Sequence, residues 1–158
     1  MTLLSYRPSV FSAGREAMPV IYQIDKARGT IRTECVGDVT IEEILDHFAT
    51  LAGDPDCPGC LDVLLDLSNQ TTLPKSAQLL RVAVAIRGIR HRVRFGACAV
   101  VAPTLALYGM LRVFQVFTED LFRETWVFRS VEEAEVWLAE HASCGGSESD
   151  GKTRISHP

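Results

Sequence analysis

Residues 95–128 read FGACAVVAPTLALYGMLRVFQVFTEDLFRETWVF. This stretch begins with a continuous apolar run that is typical of a strand. A long apolar segment with helical character follows, and the stretch ends in a second, short strand-like run. An earlier segment, Leu61–Ser68, is as continuously apolar as the first run. Runs of this kind are typical of strands that helices bury on both faces. The sequence therefore predicts a layered α/β domain.

The segments on either side complete a regular alternation of strands and helices. Val20–Asp25 and Thr30–Val36 flank a turn at Gly29 and predict an N-terminal β-hairpin. Helix-capping residues open the helical segments that follow, at Thr40, at Ser76 or Pro74, at Thr104 and at Ser130. The expected order is β-β-α-β-α-β-α-β-α. Because strand–helix–strand units make right-handed parallel crossovers, this order predicts a mostly parallel sheet of about five strands with four helices.

The chain is predicted to divide into one domain and two ends. Its 158 residues suffice for one domain with its own hydrophobic core. We expect residues 18–141 to form that domain. Residues 1–17 precede the first predicted strand and are expected to be a poorly ordered extension. Residues 142–158 are rich in Gly, Ser and charge and are expected to be a flexible tail.

Composition argues against several classes of partner. The net charge of -4 provides no general attraction to nucleic acid or to anionic lipid. No apolar run is long enough to span a bilayer, so we expect no integral membrane association. The first residues lack the basic start and uninterrupted apolar stretch of a secretory signal, and the expected location is cytoplasmic.

The five cysteines form an odd number, which argues against a complete disulfide framework. Cys35 and Cys98 lie in apolar strand-like runs and are expected to be core residues. Cys57 and Cys60 have CxxC spacing, but they precede a strand rather than a helix that would lower a thiol pKa. A structural zinc site would need two more ligands nearby in sequence. We expect ordinary loop thiols, with redox or metal function as the alternative, and we predict no metal and no cofactor.

The charged and polar clusters of the sequence do not form a recognisable set of catalytic residues. The basic cluster, residues 87–94 (RGIRHRVR), is predicted to be a solvated helix end, with phosphate or nucleic-acid binding as the alternative. No aromatic residue interrupts the cluster to stack bases, which favours the first interpretation. His47 is predicted to lie on a water-facing helix stripe with Glu43, where it could not act as an acid or base. We therefore predict no catalytic residue.

The helix predicted over residues 104–122 is more apolar than one buried face requires. Its polar stripe is narrow and consists of Tyr108, Arg112, Gln115 and Glu119. The surplus apolar surface must be covered by another helix of the same chain, by a second copy in a homodimer, or by a lipid-like ligand or protein partner. We expect Arg112 to pair with Glu119; the alternatives are that it extends its charged end to water or binds the anionic head of a ligand. The predicted ligand or partner surface consists of Tyr108, Met110, Arg112, Phe114 and Phe117.

Several short motifs carry a family resemblance. They are the strand end Leu65–Ser68, the segment Ala99–Ala102, the helix residues Tyr108–Met110 with Arg112 and Phe114, and Val127–Ser130 with Glu132, Glu133, Ala134, Trp137 and Leu138. As a set, these motifs resemble the SpoIIAA-like families, relatives of the STAS domain of anti-sigma factor antagonists. The resemblance covers about Pro19 to Glu140. It implies a SpoIIAA-like fold and a non-enzymatic binding or regulatory module that acts through protein–protein contacts.

One departure from that family concerns a phosphorylated serine. Anti-sigma factor antagonists open the helix after the third strand with a segment of Asp-Ser-Ser-Gly type. The corresponding residues here are Leu73–Ala77, so Ser76 remains at a helix N-terminus without the acidic and glycine neighbours. We expect Ser76 to act as a helix cap, with a phosphoswitch as the alternative.

The alternative to a protein-binding module comes from the apolar helix. If a ligand covers its surplus surface, the protein is a small-molecule or lipid binder. The apolar pocket would then lie under helix 104–122, with Tyr108 and Arg112 at its mouth.

Overall fold

The computed structural model describes residues 4–8 and 19–145, with the backbone alone for residues 4–8. Strands and helices alternate through most of this part of the chain. The strands are β1 (Leu4–Pro8), β2 (Val20–Asp25), β3 (Thr30–Gly37), β4 (Cys60–Gln70), β5 (Arg94–Val101) and β6 (Glu124–Phe128). The helices are α1 (Ile41–Ala52), α2 (Ser76–Gly88), α3 (Leu105–Phe117) and α4 (Val131–His141). The predicted α/β class and its four helices are confirmed.

The strands form one sheet in the order β1-β2-β3-β4-β5-β6. Strands β3 to β6 are parallel, whereas β1 pairs with β2 and β2 with β3 in antiparallel fashion. The sheet is therefore mixed, and the prediction of a mostly parallel sheet was wrong. The reason is the hairpin, which reverses the chain at Gly29 (φ 66°) before the first helical crossover.

Strand β1 lies in the predicted N-terminal extension. Its five residues pair with β2, from Leu4 opposite Asp25 to Pro8 opposite Ile21. The residue pattern of this segment predicted no strand. The rest of the extension lies outside the described residues, so the prediction of poor order stays a prediction.

The helices cover the two faces of the sheet unequally. Alternate residues of β5 point to opposite faces of the sheet. Cys98 and Val100 face α2 and α3. Ala97, Ala99 and Val101 face α4. Helix α1 packs through Ile41, Ile44 and Phe48 against the same cluster as α2 and α3. Three helices thus cover one face, and α4 covers the other. No helix in the described part of the chain is long and apolar enough to cross a bilayer.

Three of the predicted helix caps are confirmed. The hydroxyls of Thr40, Thr104 and Ser130 accept hydrogen bonds from backbone N–H groups three residues on, each at 3.2 Å. At α1 the carboxylate of Glu43 also accepts from the Thr40 N–H at 2.8 Å, which completes a capping box. These bonds satisfy donors that a helix leaves unpaired at its start.

Helix α3 is shorter than predicted and ends at Phe117 rather than near Phe122. The Thr118 hydroxyl donates to the Phe114 carbonyl at 2.9 Å, and the Leu121 N–H bonds to the Thr118 carbonyl, also at 2.9 Å. The turn that follows returns Leu121 and Phe122 to the core. The apolar pattern continued past the helix end because these two residues are buried from a turn.

Candidate functional site

A cavity of about 490 Å³ opens between α1 and α2 on the three-helix face of the sheet. Its floor is the β3 and β4 surface, with Phe95 and Cys98 of β5; α1 and α2 form its side walls, and Leu111 and Phe114 of α3 border one end. Protein interiors are packed as densely as organic crystals and leave few voids larger than a water molecule. A space of this volume is within the range of ligand pockets.

The floor of the cavity is formed by side chains that alternate along strand β3. Alternate side chains point to the same face of a strand, so Ile31, Thr33 and Cys35 all line the space. The neighbouring strand contributes Val63, Leu65 and Leu67. Because Thr33, Cys35 and Cys98 are small, this floor leaves room that longer side chains would fill.

The cavity opens at the carboxyl ends of β3 and β4. The exposed or half-exposed polar side chains of its lining lie here: Asp38, Thr40, Glu42, Gln70, Thr72, Lys75 and Gln78. The two connections that form this mouth are hydrogen-bonded to each other, since the Thr72 hydroxyl accepts from the Val39 N–H at 3.3 Å. Leu73 lies at the mouth with half of its surface exposed. The mouth is therefore polar with one apolar side chain at its edge.

One polar group lies on the otherwise apolar floor. Thr33 is only 4% exposed and lines the cavity. Its hydroxyl is not one of the fully buried polar groups that lack a hydrogen-bond partner among the described residues. An apolar chain that covered this hydroxyl would remove it from water, which costs free energy.

His47 belongs to the wall of the cavity. It is buried, and its ring lies 5.2 Å from that of Tyr22 and 5.0 Å from that of Phe48. Burial lowers the pKa of His47 to about 4, so the imidazole is neutral at physiological pH. The prediction that His47 faces water was wrong. Its spacing of three from Ile44 and four from Leu51 is the signal that placed it on the buried face.

Two buried thiols also line the cavity, and neither is activated. Burial, followed by the charges of Asp66 and Glu34, raises the pKa of Cys35 to about 12. Burial also raises the pKa of Cys98 far above its usual value. Since the thiolate is the nucleophilic form, both groups are unreactive thiols. Their prediction as core residues is confirmed.

The predicted surface on helix α3 is divided among several environments. Phe114 is buried and borders the cavity, whereas Met110 and Phe117 are partly buried against the core. Tyr108 lies beneath the Arg129 guanidinium, 5.9 Å from the ring centroid. Of the five predicted residues, then, only Phe114 touches the cavity. The space lies mainly beneath α1 and α2 rather than under residues 104–122.

Arg112 lies in a second, shallower groove between α3 and β6. No ion pair joins it to Glu119 within the described residues, so that predicted contact is not formed. Gln115 donates through Nε2 to the Thr125 carbonyl at 2.5 Å, while Gln115 Oε1 and Thr125 Oγ1 are buried without partners among the residues described. This groove has charged walls and lacks the apolar lining of the cavity.

Ser76 is the first residue of α2, so its prediction as the helix cap was off by one residue. The cap position is Lys75, whose N–H donates to Oε1 of Gln78 at 2.8 Å. The ammonium group of Lys75 cannot accept a hydrogen bond from the helix N-terminus. The Ser76 side chain is exposed beside the mouth of the cavity. Its phosphorylation stays a prediction.

The two cysteines of the CxxC segment differ in their bonding: one is a free thiol and the other is in a disulfide. Cys57 is a buried free thiol that donates to the Pro58 carbonyl at 3.4 Å. Cys60 is paired with Cys144 in a disulfide, with a Cα–Cα distance of 5.4 Å. The prediction of loop thiols is right for Cys57 and wrong for Cys60. Spacing alone could not have shown the bond, because its partner is 84 residues away.

The basic cluster, residues 87–94, is partly engaged within the chain. Arg87 pairs with Asp120 at 3.1 Å, and the Arg92 guanidinium donates to the carbonyls of Asp54 and Cys57, each at 2.9 Å. Arg92 thus holds the loop between α1 and β4. These contacts favour the structural interpretation of the cluster.

No family model matches the chain, and neither a curated protein nor a solved structure does. The resemblance to SpoIIAA-like proteins therefore rests on the residues quoted above.

Proposed function

We propose that this protein binds an apolar small molecule with one polar end, such as a single-chain lipid, in the cavity between α1 and α2. The observation that supports this proposal is the distribution of polarity. Apolar side chains line the interior of a space of about 490 Å³, and the exposed polar groups lie at its mouth. A molecule with an apolar chain and a polar end fits this arrangement, because both parts keep their preferred surroundings.

The titratable groups inside the cavity support a binding role rather than a catalytic one. General acid–base catalysis is most effective when the pKa lies near the working pH. The pKa of His47 is lowered to about 4 and that of Cys35 is raised to about 12, so neither group meets this condition. We infer that the chain acts as a carrier or sensor of its ligand.

The proposal predicts a characteristic dependence of affinity on chain length. Each buried methylene contributes about 0.8 kcal/mol, which corresponds to about a fourfold change in affinity. We expect affinity for a series of saturated fatty acids to rise by this factor per methylene and to level off once the chain fills the cavity. Isothermal titration calorimetry measures the series. Affinity that does not change with chain length would rule out apolar burial as the source of binding.

Two valines of α2 provide a matched pair of variants. Val82 is buried and lines the cavity, while Val84 is on the outer side of the same helix and 58% exposed. Val82→Phe fills part of the space and is expected to weaken binding of a long fatty acid by about tenfold. Val84→Phe adds the same side chain outside the cavity and is expected to change affinity less than twofold.

Native mass spectrometry of the purified chain gives an independent readout. We expect a retained ligand with a mass of several hundred daltons, present in the wild type and Val84→Phe but depleted in Val82→Phe. Equal ligand content in both variants would contradict the assignment of this cavity. Circular dichroism melting shows whether each variant is folded.

We propose a regulatory, SpoIIAA-like protein-binding module as the second candidate function. A surface stripe of α2 favours it. Ser76, Leu80 and Val84 succeed one another at intervals of four residues, and the two apolar side chains are 49% and 58% exposed. Phosphate at Ser76 would sit at a helix N-terminus, which stabilises negative charge, beside an apolar contact surface. The partner is either a second copy of the chain or another protein.

Two measurements test this second function. A phosphopeptide map of protein isolated from its natural host should contain the Ser76 phosphopeptide. Sedimentation equilibrium of the wild type and of Leu80→Asp should show a dimer that the substitution dissociates, if the partner is a second copy. An unmodified Ser76 together with a monomeric wild type would leave the stripe without support as a regulatory surface.

A further inference from the structure

The short segment after α4 is bound to the opposite end of the sheet from the cavity mouth. Ser143 and Cys144 lie against Asp62 near the start of β4. The Asp62 carboxylate is completely buried and accepts hydrogen bonds through Oδ2 from the N–H groups of Ser143 at 2.9 Å and Cys144 at 2.8 Å. Its other oxygen accepts from the Ala97 N–H at 2.9 Å. Two of these three backbone donors therefore come from the segment.

Glycines make the close approach of the segment possible. A Cβ atom at Gly29 would lie 2.8 Å from the backbone carbonyl carbon and oxygen of Cys144. A Cβ atom at Gly96 would lie close to Oδ1 of Asp62 and 2.6 Å from the Ser143 hydroxyl oxygen. A larger residue at Gly29 would therefore displace the segment, and one at Gly96 would displace both Asp62 and the segment. The surface beneath residues 143–145 is thus shaped to receive them.

The disulfide joins the same segment to the same strand. Cys60 is the first residue of β4, two residues before Asp62, and its partner Cys144 donates its own N–H to the Asp62 carboxylate. One short segment is therefore held both covalently and by charge-assisted hydrogen bonds.

We propose that the Cys60–Cys144 disulfide is a reversible thiol-exchange site whose reduction releases residues 143–145 from Asp62 while the domain stays folded. In cytoplasmic proteins, disulfides are mostly transient, catalytic or redox-sensing rather than permanent. For a protein with the predicted cytoplasmic location, this favours a bond that opens and closes. The released Cys144 and Cys60 thiols are then open to modification.

The exchange requires a dithiol reductant, which the cell supplies as a protein or small-molecule dithiol. One thiolate of the reductant attacks one sulfur of the disulfide, which forms a mixed disulfide and frees the other cysteine. The second thiolate of the reductant then attacks the reductant's own sulfur in the mixed disulfide and frees the second cysteine. Two electrons and two protons pass to Cys60 and Cys144, and the reductant leaves as a disulfide.

The contacts of the domain explain why it should survive this opening. The three apolar clusters of the described residues contain no residue beyond Leu138. Strand β4 is paired with β3 and β5 independently of the segment. After release Asp62 retains the Ala97 N–H. Water can replace the three donors that it loses, which are the N–H groups of Ser143 and Cys144 and the Ser143 hydroxyl. The opening is therefore local.

Thiol counting is the first test. Protein alkylated under denaturing conditions without reductant should react at three cysteines of five, and after reduction at all five. A peptide map of the first sample should contain the Cys60–Cys144 link. A Cys57–Cys60 link, or five reactive thiols in oxidised protein, would overturn the proposal. Extracts alkylated at lysis from cells grown with and without an oxidant should differ in this link; a constantly oxidised bond would make it a permanent cross-link instead.

Hydrogen exchange tests the release itself. On reduction, the amides of Ser143 and Cys144 should exchange at least tenfold faster, while those of Leu61–Leu67 remain as protected as before. Cys144→Ser should reproduce the reduced state without any reductant, and Cys57→Ser should behave as the wild type in both states. Loss of protection throughout β4 on reduction would show global unfolding and contradict a local switch. Unchanged exchange at Ser143 and Cys144 would contradict release.

Discussion

At the scale of single residues, His47 links burial to the pH dependence of stability. The unfolded chain protonates its histidine near pH 6.5, whereas the folded chain does so only near pH 4. Between these values the unfolded state binds the extra proton, so the stability contributed by the neutral imidazole is present above pH 6.5 and is lost as the pH falls. The loss by pH 4 is about 3 kcal/mol.

Substitution of His47 should remove this loss. Urea unfolding at several pH values between 7 and 4 is expected to show a flatter stability curve for His47→Gln than for the wild type. His91→Gln changes an exposed histidine and should leave the curve of the wild type unchanged. Parallel curves for all three proteins would show that folding does not change the pKa of His47.

Thr33 and Thr125 provide a second test with single residues. Both are buried threonines, but only Thr33 lines the cavity, and of the two hydroxyls only that of Thr125 is fully buried without a partner among the described residues. Replacing Thr125 by valine is expected to raise the free energy of unfolding by about 1 kcal/mol, because an unsatisfied buried group is removed. Thr33→Val should instead raise the affinity for a fatty acid chain, because the chain then covers a methyl group rather than a hydroxyl. Calorimetry separates the two effects, and equal affinities for both variants would place the ligand away from Thr33.

At the scale of elements, the start of α2 is the weakest helix terminus on the three-helix face. Lys75 at the cap position cannot accept a hydrogen bond, in contrast to Thr40 and Thr104 at the other two helices. Lys75→Asp introduces an acceptor and a negative charge near the positive end of the helix dipole. It should stabilise the chain by about 1 kcal/mol. Thermal melting measures the gain, with Lys75→Gln as the control that removes the positive charge without adding a carboxylate. A gain as large in the control would assign the effect to the lost charge.

The helices and strands differ in how well local sequence patterns predict them. Caps and apolar periodicity are local, and they located the four helices and the buried strands correctly. The predicted end of α3 was wrong because Leu121 and Phe122 continue the apolar pattern beyond the helix. They are apolar because they pack in the core from the turn after α3. The cavity could not be predicted, since it is a gap between α1, α2 and the sheet that depends on their separation. The Cys60–Cys144 pair is likewise a contact between distant parts of the chain.

At the scale of the whole molecule, the cavity mouth and the disulfide lie at opposite ends of the parallel strands. Cys60 begins β4 and Gln70, which lines the cavity, ends it. At about 3.3 Å per residue, an eleven-residue strand separates the two by about 33 Å. The inner end of the cavity comes closer, since Val63 lines it three residues from Cys60. Successive strand residues point to opposite faces, however, so Asp62 and Val63 lie on different sides of the sheet.

This separation predicts that the two proposed activities are independent. Cys144→Ser should bind a fatty acid with an affinity within twofold of the wild type, and the fatty acid should leave the exchange of the Ser143 amide unchanged. Because coupling between two binding equilibria is reciprocal, the two measurements must agree. The ligand should raise the melting temperature of the oxidised and reduced chains by the same increment, since it binds the same folded cavity in both. An unequal increment would show that release of residues 143–145 is transmitted along the sheet to the cavity, and β4 would then be the element that connects the two ends.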